Sequence, residues 1–360
     1  MMKGTPTMTR IPRRAAGFSI IEMMISIVLG LVILAALTTF FVSTSVNRTE
    51  MERSTRQIEN GRYAIDTLRE DLVLAGFYAD MQPLAIPTWT TNPVCPATIT
   101  DLGFSSNPAY TAPLPVWGYP DGVGVPGCIT DIAPNTDVLV VHRFNSESMT
   151  PTQAAAGTPS GHPASSQWYI QVSQCANDLN PPGPFIVAAG NGTFNLRDQK
   201  CTGVSDVWRL REQIYYVRTC SVTCPSDGIP TLVRKELNIG GGSNMEDQPL
   251  VEGIQGFRVD YGIDNDNNGL AEVWKRCDAA LPCTNAEWGN VVAAKLYVLS
   301  RNLEASPGFV DTKIYSMGLS GTVGPFNDGF KRHVYTAQVN IPNKTGPRES
   351  QLDGKTALMP

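Results

Sequence analysis

The sequence predicts an α+β protein: one long N-terminal helix, membrane-spanning in its first half, packed on a β-rich extracytoplasmic domain with an antiparallel sheet. Three observations predict it. Residues Gly17 to Val42, GFSIIEMMISIVLGLVILAALTTFFV, form an apolar run with a single acid, Glu22. From Ser43 onward the pattern becomes a charged helix with one apolar stripe. Beyond about residue 80, β-branched runs alternate with stretches rich in Pro, Gly, Asn and Ser.

The first element is the span. Phe18 to Val42 supplies 25 residues, and about 20 cross a bilayer as a helix. A carboxylate inside such a span costs roughly 2.5–3.5 kcal/mol, so Glu22 needs a partner and carries a functional hypothesis. Lys3, Arg10, Arg13 and Arg14 precede the run with no acid among them, which keeps the amino terminus cytoplasmic and sends the rest outward. A simple signal anchor with a stray Glu, or a cleaved secretory peptide, is the weaker reading, because a secretory apolar region is only about 7–15 residues and its cleavage site follows that region. Loss of the basic leader would take the formal net charge from −5 to −9. No basic run remains to recruit nucleic acid or anionic lipid.

The second element is the amphipathic half. Met51, Ile58, Ile65 and Leu72 recur every seven residues, and Gly61, Leu68 and Ala75 follow the last three of them by three positions. Such a stripe packs on something, and continuous with the span it would form a rod of roughly 90 Å at 1.5 Å per residue. Ser54 and Gly61 interrupt the sustained heptads that an independent coiled coil requires. Gly76 is the expected stop. The domain boundaries that follow are a leader over 1–17, a transmembrane segment over 18–42, an amphipathic segment over 43–79 and a β-rich head over 80–360.

The head carries all eight cysteines. An even number beyond a membrane span indicates disulfides in an oxidising compartment. Spacing alone does not derive connectivity; pairing neighbours closes local loops and gives Cys95–Cys128, Cys175–Cys201, Cys220–Cys224 and Cys277–Cys283. Zinc is the weaker reading, since CxxxC and CxxxxxC have no nearby histidine. Expected strands are Asp137 to Phe144, Gln167 to Val172, Phe185 to Ala189, Val207 to Arg218, Thr231 to Leu237, Gly253 to Tyr261, Val291 to Ser300, Thr312 to Ser316 and Arg332 to Ile341, with few helical signals.

Gly17, Phe18 and Glu22 behind a short basic leader resemble the class III signal of type IV prepilins and type II secretion pseudopilins. The resemblance implies that a membrane peptidase cuts after Gly17 and methylates the new terminus, Phe18. It further implies that Glu22 pairs with the terminal amine of a neighbouring subunit, each buried charge neutralising the other. Glu59 to Phe77, ENGRYAIDTLREDLVLAGF, is similar to the segment of PilW-family minor pilins in which an ENGR element leads to an AGF or AGY element. TDVLVVHRF (Thr136 to Phe144), QGFRVDYGIDNDNNG (Gln255 to Gly269), VVAAKLYVLSRN (Val291 to Asn302) and KRHVYTAQVNI (Lys331 to Ile341) are similar to that family in order and character. The likeness fades over residues 81–134 and 146–202.

Enzymatic motifs are poor, and no enzyme is expected. His142, His162 and His333 are scattered, and neither HExxH nor GxSxG occurs. The nominal GxGxxG of Gly122, Gly124 and Gly127 has Pro126 and Cys128 where a phosphate-binding helix should open, and reads as a loop. Asn191-Gly-Thr193 and Asn343-Lys-Thr345 match glycan sequons by chance. One constellation bears chemistry: Asp264-Asn-Asp266-Asn-Asn268-Gly269 opens like an EF-hand loop, with Leu270 offering a carbonyl and Glu272 at the ninth position. The twelfth residue is Lys275 rather than Glu. Calcium and a bare Asn/Asp/Gly turn are both open.

The resemblance implies a non-enzymatic minor pilin, resident in a bacterial inner membrane and then in a pilus, at its tip. Its expected partners are other major and minor pilins, the prepilin peptidase, the inner-membrane assembly machinery and a tip adhesin. The alternatives are a J-class minor pseudopilin of type II secretion and a tip-displayed adhesin or ligand-binding module.

Overall fold

A single helix, α1 (Ile20–Leu74), opens the computed structural model. The structure describes residues 17, 19–81, 88–91, 94–105, 111–156, 167–175, 177, 185–225, 227–237 and 245–352. The leader over 1–16, Phe18 and His162 lie outside the described residues. Two units divide the chain, Met1–Glu52 and Arg53–Pro360. The second begins inside α1, so the compact head starts at Arg53 rather than at residue 80, and α1 stops at Leu74 rather than 79.

The described strands are β1 (Thr88–Thr90), β2 (Thr111–Pro113), β3 (Val116–Tyr119), β4 (Val138–Met149), β5 (Trp168–Val172), β6 (Phe185–Ala189), β7 (Val207–Arg218), β8 (Thr231–Leu237), β9 (Met245–Glu252), β10 (Ile254–Ile263), β11 (Val273–Lys275), β12 (Val291–Arg301), β13 (Tyr315–Ser316), β14 (Thr322–Val323) and β15 (Arg332–Asn340). Short helices α2 (Pro151–Ala156) and α3 (Asn285–Gly289) and the longer α4 (Pro342–Leu352) interrupt them. Two antiparallel sheets dominate. One runs β11-β10-β12-β15; the other is built on the long β7, which pairs with β4 along one edge and with β5 and β8 along the other. β3, β6 and β9 complete that second sheet.

The expected antiparallel sheet is thus two sheets, and they share one core with the end of α1. Phe257 and Val259 of β10 and Leu296 and Val298 of β12 pack with Val140 of β4, Ile214 of β7, and Ala64, Leu68 and Leu72 of α1. A second cluster gathers Tyr78, Phe144, Trp168, Ile170, Phe185 and Leu210. Three expected strands have their predicted bounds, Phe185–Ala189, Val207–Arg218 and Thr231–Leu237. The Thr312 to Ser316 strand shrinks to Tyr315–Ser316, because Asp311 accepts from the backbone amide of Lys313 and bends the segment before it.

The expected apolar stripe is buried at Gly61, Ile65, Leu68, Leu72 and Ala75 and departs from expectation only at its beginning. Met51 is 71% exposed and Ile58 44%, while Gln57, Gly61, Ala64, Ile65, Leu68, Asp71 and Leu72 are buried. Seven residues fall about 20° short of two full turns, so a strict heptad drifts around a straight helix. The buried seam runs in steps of three and four from Gln57 to Ala75 through the expected Gly61, Ile65, Leu68 and Leu72, and it adds the polar Gln57 and Asp71.

Candidate functional site

The beginning of α1 is one candidate. Every described residue from Ser19 to Val42 is exposed, including Ile20, Phe40 and Phe41. A helix apolar all round calls for a non-aqueous surround, and this is the one described helix long and apolar enough to cross a membrane. Its hydroxyls are satisfied internally: Ser26 donates to the carbonyl of Glu22 (2.7 Å), Thr38 to Leu34 (3.0 Å) and Thr44 to Phe40 (2.8 Å). Such back-bonding hides polar groups where water is missing. Glu22 is the acid of the first turn, and its Oε2 accepts from the Ser19 amide at 3.0 Å. No described cationic side chain pairs with it.

The head-facing end of α1 is held by polar anchors. The buried amide of Gln57 donates to the carbonyls of Ser300 (2.9 Å) and Lys331 (3.0 Å) on β12 and just before β15. Asn60 donates to the carbonyl of Glu252 at 3.0 Å. At Gly61 a Cβ would collide with the ring of Tyr335 on β15, so only glycine admits that ring. The ENGR element is therefore a docking face for the sheet. About two and a half turns further on, Asp71 accepts from Arg143 of β4 at 2.8 Å and from the Tyr215 hydroxyl of β7, with Arg234 of β8 at 3.9 Å. Burial, then the Asp71 charge, pushes the Tyr215 phenol well above its ordinary value, so the phenol stays a donor.

The AGF element ends the helix. Gly76 has φ +71°, a left-handed conformation that favours glycine after a helix C-terminus. Its amide donates to the His142 carbonyl at 2.9 Å, and the Phe77 carbonyl accepts from Phe144 at 2.8 Å, so the chain leaving α1 is stitched to β4. Asn343 of α4 donates to the Ala75 carbonyl at 3.2 Å, which assigns one sequon asparagine to helix capping.

The Asp264 to Glu272 loop joins β10 to β11. Carboxylate oxygens of Asp264, Asp266 and Glu272 lie within 4.8 Å of one another. Asp264 accepts from the amides of Asn268 (3.1 Å) and Gly269 (3.0 Å) and from Arg348 of α4 (2.7 Å). Burial alone would raise its carboxyl, but the Arg348 and Gly269 hydrogen bonds hold it below the usual range. Asn268 donates to Asp266 at 2.9 Å and accepts from the Leu270 amide at 2.7 Å, and Glu272 accepts from the Asn265 amide at 2.8 Å. Lys275, at the twelfth position, pairs with Glu287. Arg348 lies 84 positions beyond Asp264, and nothing local in the loop announced it.

The remaining candidates have structural roles. The bridges join Cys95–Cys128, Cys175–Cys201, Cys220–Cys224 and Cys277–Cys283, and no described cysteine is free. With Cys220 and Cys224 bridged, their approach to Asp131 is no thiolate metal site. His142 is buried, its Nδ1 2.7 Å from the Leu114 carbonyl and its Nε2 3.2 Å from Glu212. His333 stacks edge-on against Tyr335. Gly122 ends a 3-10 turn and Gly124 has φ +79°, so GVGVPG forms turns rather than a phosphate-binding helix start.

The family comparisons fall on the beginning of α1 and on the sheets of the head. The prokaryotic N-terminal methylation motif matches residues 12–38, and the type IV pilus-assembly protein W model matches residues 214–343. The second segment runs from β7 into α4; the ENGR and AGF elements lie outside both matches. Among solved structures, the type IV-like pilin TTHA1219 from Thermus thermophilus aligns at 14% identity over 81% of this chain and 98% of that one, with a TM-score of 0.36. No curated protein matches. The methylation motif and the apolar helix it opens indicate membrane anchoring, pilus association, and contact with other pilins and with a prepilin peptidase. Together with the match of the head to the W model, they support a type IV pilus minor pilin of the PilW family.

Proposed function

We propose that the chain is a structural subunit cut after Gly17, methylated at Phe18 and parked in the inner membrane with its head outside. From there it is built into the priming complex at the pilus tip. Glu22 then pairs with the terminal amine of a neighbouring subunit. The observation that carries this reading is Glu22 itself, the acid of an otherwise apolar exposed turn with no described cationic side chain on it. A carboxylate left alone in a bilayer is costly, and a partner charge from another chain removes that cost. Leader orientation by Lys3, Arg10, Arg13 and Arg14 and the four bridges of the head support the same topology. Intact-mass analysis of protein recovered from sheared pili tests it: the expected chain begins at N-methyl-Phe18, and a chain retaining Met1 would overturn the processing step.

Calcium at the head is a second element of the proposal, supported by the convergence of Asp264, Asp266 and Glu272. Asn268 and the Leu270 carbonyl would complete the oxygen set, and the missing twelfth-position carboxylate sets affinity in the extracellular range of about 10⁻⁴–10⁻³ M. The cation would compete with Arg348 for Asp264. Protein in millimolar calcium should then melt at a higher temperature than protein in chelator. Identical melting curves would leave a turn held by Arg348 alone.

A further inference from the structure

β15 is the outer strand of its sheet, and no described strand pairs with its outer edge. It pairs with β12 from Arg301↔Arg332 to Ala293↔Asn340 with no shift of register. At the two ends of that ladder Asn302 donates to the Lys331 carbonyl and Ile341 to the Val292 carbonyl. Antiparallel alternation therefore turns the backbone groups of the odd-numbered residues toward β12 and those of Val334, Thr336, Gln338 and Asn340 away from it. Among the described residues no backbone or side-chain group bonds to those outward groups, and Thr336, Gln338 and Asn340 are exposed.

Proteins ordinarily blunt such edges with short strands, proline, bulges or charge. The other outer strands follow that rule. β3, β6 and β11 have three to five residues, and β9 carries Pro249, Glu246, Asp247 and a register shift opposite Leu232 and Val233. β15 has nine residues, RHVYTAQVN, with neither proline nor lysine. An edge left open where its counterparts are closed is an edge kept for pairing.

The start of β15 also borders a groove of about 480 Å³ between α1 and the loop after Ser306, with Ile58, Arg62, Phe309, Lys313 and Lys331 on its walls. Lys331 lies 5.7 Å from the Phe309 ring. In a chain of net charge −5 this is a local concentration of cations. The loop that carries Lys313 also exposes Val310 (57%) and Ile314 (63%). It is held rigid by Asp311, which exchanges backbone hydrogen bonds with Asp328 and Asn327 and accepts from Tyr315 and Arg332.

We propose that the open edge of β15 and the cationic groove beside it dock an extended, acidic segment of a neighbouring pilin subunit as an added strand. The inference rests on the reading of the chain as a pilin. Main-chain hydrogen bonds to Val334, Thr336, Gln338 and Asn340 supply the pairing. Arg62 and Lys313 select carboxylates on the incoming strand, and Val310 and Ile314 cover its apolar side chains.

The test uses the full chain in its own membranes, with the photocrosslinker p-benzoylphenylalanine placed at Gln338 and the adduct mapped by mass spectrometry. The expected product joins Gln338 to an acidic stretch of a different chain bearing a prepilin signal; the same probe at exposed Val222 gives none of it. Thr336→Pro removes an outward amide without touching the ladder to β12 and should lower the yield about tenfold, the effect of one hydrogen bond and its sterics. Arg62→Glu with Lys313→Glu should do the same without altering the strand, and this pair decides the matter if Thr336→Pro reduces the amount of disulfide-bonded chain. No adduct, an adduct to a second copy of this chain or to a protein that is no pilin, or a yield unchanged in the folded variants would overturn the proposal. A processed, pilus-associated chain without the adduct sinks this inference alone; an unprocessed chain sinks the pilin subunit mechanism first.

Discussion

Glu22 and Asp71 are acids on one continuous helix, and they meet opposite fates. Glu22 is exposed in an apolar turn and accepts from the Ser19 amide, with no described cationic side chain against it. Asp71 is 5% exposed and is engaged by Arg143, Tyr215 and Arg234 from three strands. A charge removed from water needs a partner wherever it sits. Asp71 has its partners in its own chain, so it fixes the head to the helix. Glu22 has none among the described residues, and the partner proposed for it is the terminal amine of another chain.

The largest effect that would break this contrast is at Asp71. Asp71→Ala leaves Arg143 buried without its carboxylate, and breaking such a pair costs about 3–5 kcal/mol. Chemical denaturation of the full chain in detergent should show that loss, while Glu22→Ala leaves the head's unfolding midpoint unchanged. Equal midpoints for Asp71→Ala and the unaltered chain would mean that Asp71 does not anchor the helix.

Lys344 sharpens the contrast as a buried charge with a poor partner. It is 8% exposed, its ammonium 4.1 Å over the Trp89 ring. Burial, then the charge of Arg348, pulls it down to about 7, with Asp264 acting in the opposite direction. An unfolded lysine keeps its proton to about 10.4. Between those values the unfolded state binds more protons, so stability rises with pH from about 7 toward about 10 and is flat below 7. Melting temperatures at pH 7 and pH 9 should show that rise, and Lys344→Met should remove it while raising the melting temperature at pH 7. A rise of the same size in Lys344→Met would assign it to other groups.

Legibility in the sequence follows the same division. The span, the stop at Gly76 and the strands of the buried sheet announce themselves through hydrophobic runs, because burial on both sides of β7 and β8 demands them. β9, MEDQPLVE, stayed hidden because an edge strand tolerates charge and proline. α4, PNKTGPRESQL, has no apolar stripe; it is tied down by Asn343, Lys344 and Arg348, whose partners are distant in sequence. Gln57 and Asp71 read as solvent-facing polar residues on a charged helix, since nothing local marks Ser300 or Arg143 as their partners. The methylation motif over residues 12–38 was readable because its pattern is local, and the neighbour pairing of the cysteines because each bridge closes a short loop.

The most direct measurement is the ratio of chain in sheared pili to chain in membranes for Glu22→Ala against the unaltered protein, with cleavage and head stability followed in parallel. The account predicts normal cleavage after Gly17, an unchanged unfolding midpoint and a ratio at least roughly tenfold lower, since the neighbour's amine is left buried without its counter-charge. Entry of Glu22→Ala into pili at the level of the unaltered protein would contradict it.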